Sequence, residues 1–372
     1  MKIFVVGGAV RDRLLGLPVK DVDYVVVGST PEQMIKKGFR PVGQDFPVFL
    51  HPITQAEYAL ARTERKTAPG YKGFIFHADT AVTLEQDLAR RDLTINAMAQ
   101  EINASEELCG PIIDPYGGQK DLREKVFRHI GPAFVEDPLR VLRVARFAAR
   151  FPNFSIAPET LDLLKNISAS GELRALVKER VWQELVKGLE AKQPSKMFDA
   201  LFACGADYEI FHEAIDAHYP KKFLDYVDIA AHQNMRLPQR YAALLHGLSS
   251  GVIESLSHRL SATVECKDYA LLTHQLVDGL TRYETLSNAE SLLAVLDRVD
   301  VWRKPERFFE LLAVAKIANY QTAPLEKAYE FAKGVDVATI AQSVGGKSGA
   351  GDAIRLAVQQ ARVQAIKKGI FS

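Results

Sequence analysis

Residues 1–28 read MKIFVVGGAVRDRLLGLPVKDVDYVVVG, and this stretch decides the fold. The apolar run at 3–6 reads as a short buried strand. Gly7-Gly8 closes it, where the backbone must turn or come close to another group. A short helical segment carrying Arg11 and Asp12 follows, and Lys20-Asp21-Val22-Asp23 leads into a second strand at Tyr24. Asp21 and Asp23 stand at i and i+2 on a strand edge, so period-two alternation puts both on one face. Two carboxylates so placed repel each other unless a cation lies between them. Mg²⁺ takes such oxygen ligands and shares them with substrate phosphates. Each half has a plainer reading, since Gly-Gly after a strand is commonly just a turn and D-x-D is common on solvated loops. Together they predict a phosphate-cradling turn beside a metal-holding carboxylate pair. No GK[ST] follows, so the turn is not a Walker A loop, and G-x-G-x-x-G is absent, so it is no dinucleotide fingerprint.

The chain of 372 residues is long enough for two to four units. Its 47% hydrophobic and 25% charged content is that of a soluble globular protein. A net charge of +1 leaves no global field for nucleic acid or membrane, so any polyanion site must be a local patch. Cys109, Cys204 and Cys266 lie far apart with no CxxC, which argues against a disulfide framework or zinc cluster and fits a reducing cytoplasm. No apolar run of about 20 residues is present to span a bilayer, and the N-terminus lacks a signal-peptide pattern.

Beyond Val27, residues 31–37 predict a short helix opened by Pro31. Residues 46–50 and 57–61 predict strands around a turn at 52–55. Residues 64–73 predict a mobile substrate-gating loop, with a plain solvated hairpin as the alternative. Residues 83–98 (TLEQDLARRDLTINAM) predict one amphipathic helix with a Thr83/Gln86 capping box. Arg90, Arg91 and Asp92 sit in its middle, either as a solvated ion-pair face or with Arg91 forking onto a triphosphate. Residues 112–122 read as strand, turn and helix start. Residues 136–150 (EDPLRVLRVARFAAR) predict a helix with Asp137 as N-cap, Pro138 at N1 and a buried stripe of Val141, Val144, Ala145 and Ala148. Eight Lys/Arg in 120–150 stand against four acids, a local basic patch suited to polyphosphate or an RNA backbone. A solvated helix face is its plainer reading. From about 155 onward the apolar spacing is helical throughout, with a flexible connection at 343–352 before a last helix at 353–369.

GGAVRD (7–12), Asp21-x-Asp23, RRDLTINAM (90–98), DPYGG (114–118) and EDPLRVLR (136–143) occur in one order. In that order and spacing the chain resembles the class II tRNA nucleotidyltransferases, in their bacterial CCA-adding form, of the polymerase-β-like superfamily. The motifs cover the first 150 residues densely, and VWRKPERF (301–308) with the last helix extends the likeness more loosely. The resemblance implies an α+β chain: a polymerase-β-like head with a small β-sheet at 1–135, an all-α neck with a nucleobase-binding helix at 136–210, and a helical body and tail at 211–372 that bind tRNA. It implies template-independent addition of CCA to the tRNA 3′ end from CTP and ATP, with pyrophosphate released. It implies Mg²⁺ on Asp21 and Asp23 as the catalytic carboxylates, with Glu57 or Glu64 as a third. Gly8 and Arg11 would contact the nucleotide, and Arg91 the triphosphate. Asp137 and Arg140 would read the base edge, with Arg143 completing the pocket. It implies no membrane and no obligate protein partner.

One departure stands out. Many relatives carry a phosphohydrolase domain marked by His-Asp, and none of the nine His here precedes Asp; the corresponding stretch reads Leu245-His246-Gly247. No phosphatase or phosphodiesterase activity is therefore expected. His212, His218, His232, His246, His258 and His274 are read as scattered helix residues. Two other readings remain. A bacterial poly(A) polymerase shares the head motifs, but those relatives carry a long basic tail and a Gly-Arg-Arg-Phe-like element, where this chain has Leu60-Ala61-Arg62-Thr63-Glu64. A catalytically inactive RNA-binding protein is the third.

Overall fold

The computed structural model describes residues 1–42, 48–66, 74–77, 79–286, 288–344 and 350–371. The chain divides into two compact units, Met1–Glu184 with Lys196–His212, and Leu185–Ser195 with Glu213–Ser372.

The first unit opens with β1 (Lys2–Val6), α1 (Gly8–Leu14), β2 (Asp23–Val27), α2 (Pro31–Lys36), β3 (Arg40–Val42), β4 (Val48–Leu50) and β5 (Glu57–Leu60). It continues through β6 (Thr63–Lys66), β7 (Phe74–His77), α3 (Leu84–Ala89), β8 (Ala99–Ile102), β9 (Leu108–Ile113) and α4 (Gly118–Glu124). Two-residue strands β10 (Val126–Phe127) and β11 (Ser155–Ile156) flank α5 (Arg140–Arg150), and α6 (Pro158–Ala169), α7 (Lys178–Leu189), α8 (Ser195–Ala203) and α9 (Asp207–Phe211) follow, with the last turn of α7 and the first residue of α8 falling in the second unit.

Seven strands form one sheet in the order β3-β4-β5-β2-β1-β8-β9, in which only β2 and β5 run parallel. Both faces are covered, and strand alternation sorts the side chains between them. Phe4, Val6, Val25, Ala61, Leu88, Ala97 and Ala99 form one core cluster. Val26, Met34, Phe39, Phe49, Tyr58 and Leu60 form the other. The neighbours Val25 and Val26 therefore face opposite ways.

Several expectations are corrected here. The helix expected at 83–98 ends at Ala89. The Thr83/Gln86 capping box is present, but Asp92 takes the Leu93 amide and the Asn96 side-chain amide onto its Oδ1, both at 2.9 Å. That local carboxylate-to-backbone bond competes with the helical ladder. The chain instead makes a turn, a bridge from Leu93 to His129, a 3-10 turn at Thr94–Asn96, and β8. Leu88, Ile95 and Met98 are all buried, so the apolar positions are right and the geometry differs. Part of the loop expected at 64–73 is strand, because β6 and β7 pair antiparallel as a hairpin; residues 67–73 lie outside the described residues. Helix α5 begins at Arg140, three residues beyond Asp137. Asp137 still accepts the Leu139 amide at 3.1 Å, so it satisfies a backbone donor just ahead of the helix.

The DPYGG stretch shows why its glycines are needed. Asp114 accepts the amides of Gly118 at 2.6 Å and Gln119 at 2.9 Å, starting α4. Gly117 sits at φ +76, and a Cβ on Gly118 would overlap the Thr94 carbonyl oxygen.

The second unit is helical: α10 (Lys221–His232), α11 (Leu237–Leu245), α12 (Ser250–Arg259), α13 (Val264–Leu286), α14 (Ala289–Arg298), α15 (Pro305–Ile317), α16 (Ala323–Lys333), α17 (Val337–Val344) and α18 (Ala350–Ile370). The connection expected at 343–352 falls largely on residues 345–349, outside the described residues. His246 is buried at the end of α11, with Nδ1 2.9 Å from the Ala243 carbonyl and its ring among Phe223, Tyr226 and Tyr320. Cys109, Cys204 and Cys266 are unbridged, and among the described residues no helix is long and apolar enough to cross a membrane.

Replacing Gly118 with Ala should lower unfolding stability by about 2 kcal/mol, because the obstructing atom is backbone that cannot rotate away. Denaturant titration of the two proteins measures it, and an unchanged midpoint would show that α4 shifts freely.

Candidate active site

A cavity of about 600 Å³ opens in the first unit, lined from the glycine turn, the 90–96 turn, the starts of β2 and β5, one side of α5, and Arg180 of α7. Of the expected site residues, Gly8, Arg11, Asp23, Arg91, Asp137, Arg140 and Arg143 all line it. Asp21 is exposed in the coil before β2 and is not among the lining residues. Because β2 starts at Asp23, strand alternation governs Asp23 alone and does not fix where Asp21 points.

The carboxylate side is built by register. Tyr24 pairs with Tyr58 and Val25 with Ala59 across the parallel strands, so Asp23 and Glu57 lie one step earlier on neighbouring strands. Both line the cavity. Glu64 stands on β6, in the separate hairpin. The donors facing the cavity here are oxygens only, with no thiol or ring nitrogen, which is the chemistry of a hard divalent cation sharing its shell with phosphate and water. Among the described residues no three His, Cys, Asp or Glu side chains converge to enclose a metal by themselves.

The turn side is built around Arg91. Gly7 has φ +69 and ψ −126, and a Cβ there would lie 2.7 Å from Arg91 Nη1. The guanidinium thus rests on the glycine turn. Its Nη2 is 3.6 Å from Asp87, and its buried Nε has no hydrogen-bond partner. Burial lowers the Arg91 pKa, opposed by Asp87. A buried donor without an acceptor is costly, and it is the other end of the guanidinium, Nη1, that meets the turn. The expectation of a solvated face at 90–92 is corrected: Asp92 is 4% exposed.

Beneath the cavity runs a chain of charges. Arg150 meets Asp12 Oδ2 at 2.8 Å, and Asp12 Oδ1 takes Arg11 Nε at 2.9 Å. Arg11 reaches the Asn96 side-chain oxygen; the Asn96 amide donates to Asp92 Oδ1; Asp92 Oδ2 meets Arg143 Nη2 at 2.6 Å and Nε at 2.8 Å. Arg11 also lies 5.2 Å from the ring centres of both Phe147 and Phe151. Burial alone would raise the Asp92 pKa, but the Arg143 charge and the hydrogen bonds from Asn96, Arg143 and Leu93 hold it well below the usual carboxylate range. Asp92 in turn raises Arg143. Arg11 and Arg143 therefore reach the cavity with their charges already engaged by protein.

On the helical wall, Arg140 donates to the carbonyls of Ala133 and Arg90. Asp137 Oδ2 faces Arg180 Nη2 at 3.4 Å. Arg146 Nε and Glu184 Oε2 are 2.6 Å apart as an ion pair, without the alignment of a hydrogen bond. The basic patch expected at 120–150 is divided: Arg140, Arg143, Arg146 and Arg150 line the cavity, whereas Arg128 pairs with Asp121 and Glu159, and Lys120 with Glu124. Reading by motif gave no site role to Asp92, Asn96 or Arg180, and placed Arg146 and Arg150 only in the basic patch. The available signal was charge inside apolar helix faces, as in Glu179-Arg180-Val181-Trp182-Gln183-Glu184, where a helix places Arg180 and Glu184 on one side.

Known proteins match the whole chain. The family described as Poly A polymerase head domain matches residues 3–128, and that described as probable RNA and SrmB-binding site of polymerase A matches residues 153–217. The Multifunctional CCA protein of Burkholderia pseudomallei (strain 668) is 48% identical, over 100% of this chain and 99% of that protein. The Multifunctional CCA protein of Burkholderia lata is 46% identical with the same coverage. A CCA-adding enzyme in its apo form II superposes with a TM-score of 0.71 at 23% identity, covering 100% of this chain and 91% of that one. The Thermotoga maritima CCA-adding enzyme complexed with tRNA gives the same score and identity, covering 100% and 88%. At that identity the structural likeness is one of fold.

Asp92→Asn should cost about 2 kcal/mol at neutral pH, less than breaking a fully enclosed pair, because the Arg143 side chain stays 36% exposed. The Asp92 carboxyl is depressed in the folded state, so its contribution is present above the ordinary carboxylate pKa of about 4 and is lost as pH falls through the lower folded value. The gap between the two proteins should therefore narrow in acid. Denaturant midpoints across pH decide it; equal gaps at neutral pH and in acid would contradict the assignment.

Proposed function

We infer the reaction from one premise: the chain belongs to the multifunctional CCA proteins, class II CCA-adding tRNA nucleotidyltransferases. It adds CCA to the 3′ end of tRNA from CTP and ATP, without a nucleic-acid template, and releases pyrophosphate. The observation that carries the residue roles is the single cavity joining the Arg91 guanidinium over the Gly7–Gly8 turn to a wall of Asp137 and Arg140. A nucleotide has the same two ends, a polyanion and a hydrogen-bonding base edge.

Asp21 and Asp23 are the proposed metal ligands, with Glu57 preferred over Glu64 as the third because it is the register neighbour of Asp23. Mg²⁺ held there would lower the pKa of the attacking 3′-hydroxyl and neutralise charge on the departing pyrophosphate. Gly8 lets the turn approach the phosphates, and Arg91 supplies the fork that binds them. Arg11, under Asp12 and Asn96, holds the turn in position. Asp137 accepts from the exocyclic amine of cytosine or adenine, and Arg140 donates to the adjacent ring nitrogen. Uracil and guanine present a carbonyl and a ring N–H at those positions, so the same pair rejects them. Arg143 holds α5 to Asp92 and so fixes the distance between the reader and the turn. The head (1–135), neck (136–210) and body with tail (211–372) are the proposed division of labour, with tRNA held by the last. Three unbridged cysteines support a cytoplasmic setting. The chain is proposed to lack phosphohydrolase activity, since Gly247 follows His246 and a Cβ at 247 would overlap the Phe223 ring.

Purified protein with Mg²⁺ and tRNA ending at the discriminator base should add two residues with CTP alone and a third only with ATP present. A long A tail would instead make it a poly(A) polymerase, and tRNA binding without extension would make it an inactive binder. Asp23→Ala should reduce addition by at least about a hundredfold while tRNA binding by filter retention stays near wild type. Undiminished turnover would remove Asp23 from the metal site.

A further inference from the structure

We propose that Arg180 is a specificity-determining positioning residue that holds the Asp137 carboxylate toward the base edge and so sets the preference for CTP and ATP over UTP and GTP. The inference rests on the reading of Asp137 and Arg140 as the base-reading pair.

Four cationic side chains of α5 and α7 stand near the base wall. Arg143 is engaged by Asp92 and Arg146 by Glu184. Arg140 donates to two carbonyls. Arg180 is the one that faces Asp137. Asp137 is held differently at its two oxygens. Oδ1 accepts the Leu139 amide at 3.1 Å, which ties it to the start of α5, and Oδ2 faces Arg180 at 3.4 Å. The second contact is long for a charged hydrogen bond. It orients the oxygen and leaves lone-pair directions open for an incoming amine.

The geometry of α7 makes this hold firm. Arg180 and Glu184 are one helical turn apart on the same side. Glu184 is 4% exposed and anchors that side of α7 to Arg146 of α5. The Arg180 guanidinium is therefore carried on a helix pinned to the helix whose entrance Asp137 guards. Without it, Oδ2 loses the cation that defines its direction, and the carboxylate is free to turn toward the other arginines of the wall. An acceptor that wanders no longer distinguishes an amine from a carbonyl at the same ring position. Cytosine then loses its advantage over uracil, which differs from it at that group.

The test measures kcat/KM separately for each nucleotide with the full chain and Mg²⁺, using tRNA ending at the discriminator base for CTP, UTP and GTP and tRNA already ending in CC for ATP. Wild type that extends tRNA with none of the four would sink the proposed function before any variant is made. In Arg180→Met the UTP:CTP ratio of kcat/KM should rise about tenfold, the size of one lost base-edge contact, chiefly through KM for CTP. Arg180→Lys, which restores the charge, should recover most of the discrimination. Glu184→Gln, which loosens the same helix without touching Asp137, should lower all four nucleotides by a common factor. A common factor in Arg180→Met as well, or an unchanged ratio, would overturn the proposal, as would a ratio shift of equal size in Glu184→Gln. Should Arg180→Met fail to fold by thermal melting, Arg180→Gln is judged on the same ratio.

Discussion

The chain of charges Arg150–Asp12–Arg11–Asn96–Asp92–Arg143 is the constraint on which the catalytic unit depends. Removing a carboxylate or guanidinium from water costs several kcal/mol per ion, and mutual attraction offsets this only when geometry and further hydrogen bonds are good. Each member here satisfies its neighbours, so the network forms as a whole or leaves a buried charge unmatched. Both ends belong to α5, two turns apart. The middle belongs to α1 and to the turn after α3. One side of a helix is thereby fastened to the glycine turn by paired charges, and the apolar stripe of Val141, Val144, Ala145 and Ala148 buries the other side.

That arrangement explains how a nearly neutral protein handles a polyanion. Nine arginines line one cavity of a chain whose net charge is +1. Most are tied to a carboxylate or carbonyl, so the cavity does not repel itself apart. Arg91 meets its carboxylate, Asp87, only at 3.6 Å, and its Nη1 lies where the glycine turn allows close approach. Field and shape therefore converge on one point, and electrostatic focusing by low-dielectric walls strengthens the attraction there.

The parts of this design that repeat with a local period are legible in the sequence. The strands at β1 and β2, the capped start of α3, the start of α4 and the buried stripe of α5 follow from alternation, capping and helical spacing. The parts that depend on distant partners are not. The stretch 83–98 has helical apolar spacing, and it breaks where Asp92 takes the Leu93 amide and Asn96, in a place held from afar by Arg143. Arg11 and Arg143 are recognisable as site residues by motif, but their engagement by Asp12 and Asp92 becomes visible only when α5 is laid against the turn. Arg180 carries no local mark beyond its spacing to Glu184. Its closeness to Asp137, 43 residues away, is a product of the fold.

The contact between Gly7 and Arg91 has a consequence for how this sequence can change. Two barriers of unequal height guard position 7: a backbone conformation that L side chains rarely adopt, which strains any substitution, and a guanidinium end standing where a Cβ would go, which a flexible side chain can move aside. Shortening Arg91 removes the second barrier and leaves the first. A single step at position 7 is thus closed in every background that keeps the turn, while position 91 can move only by giving up the group that rests on it. The two positions form a ratchet in sequence space. A lineage that keeps the turn has no nearby alternative to glycine.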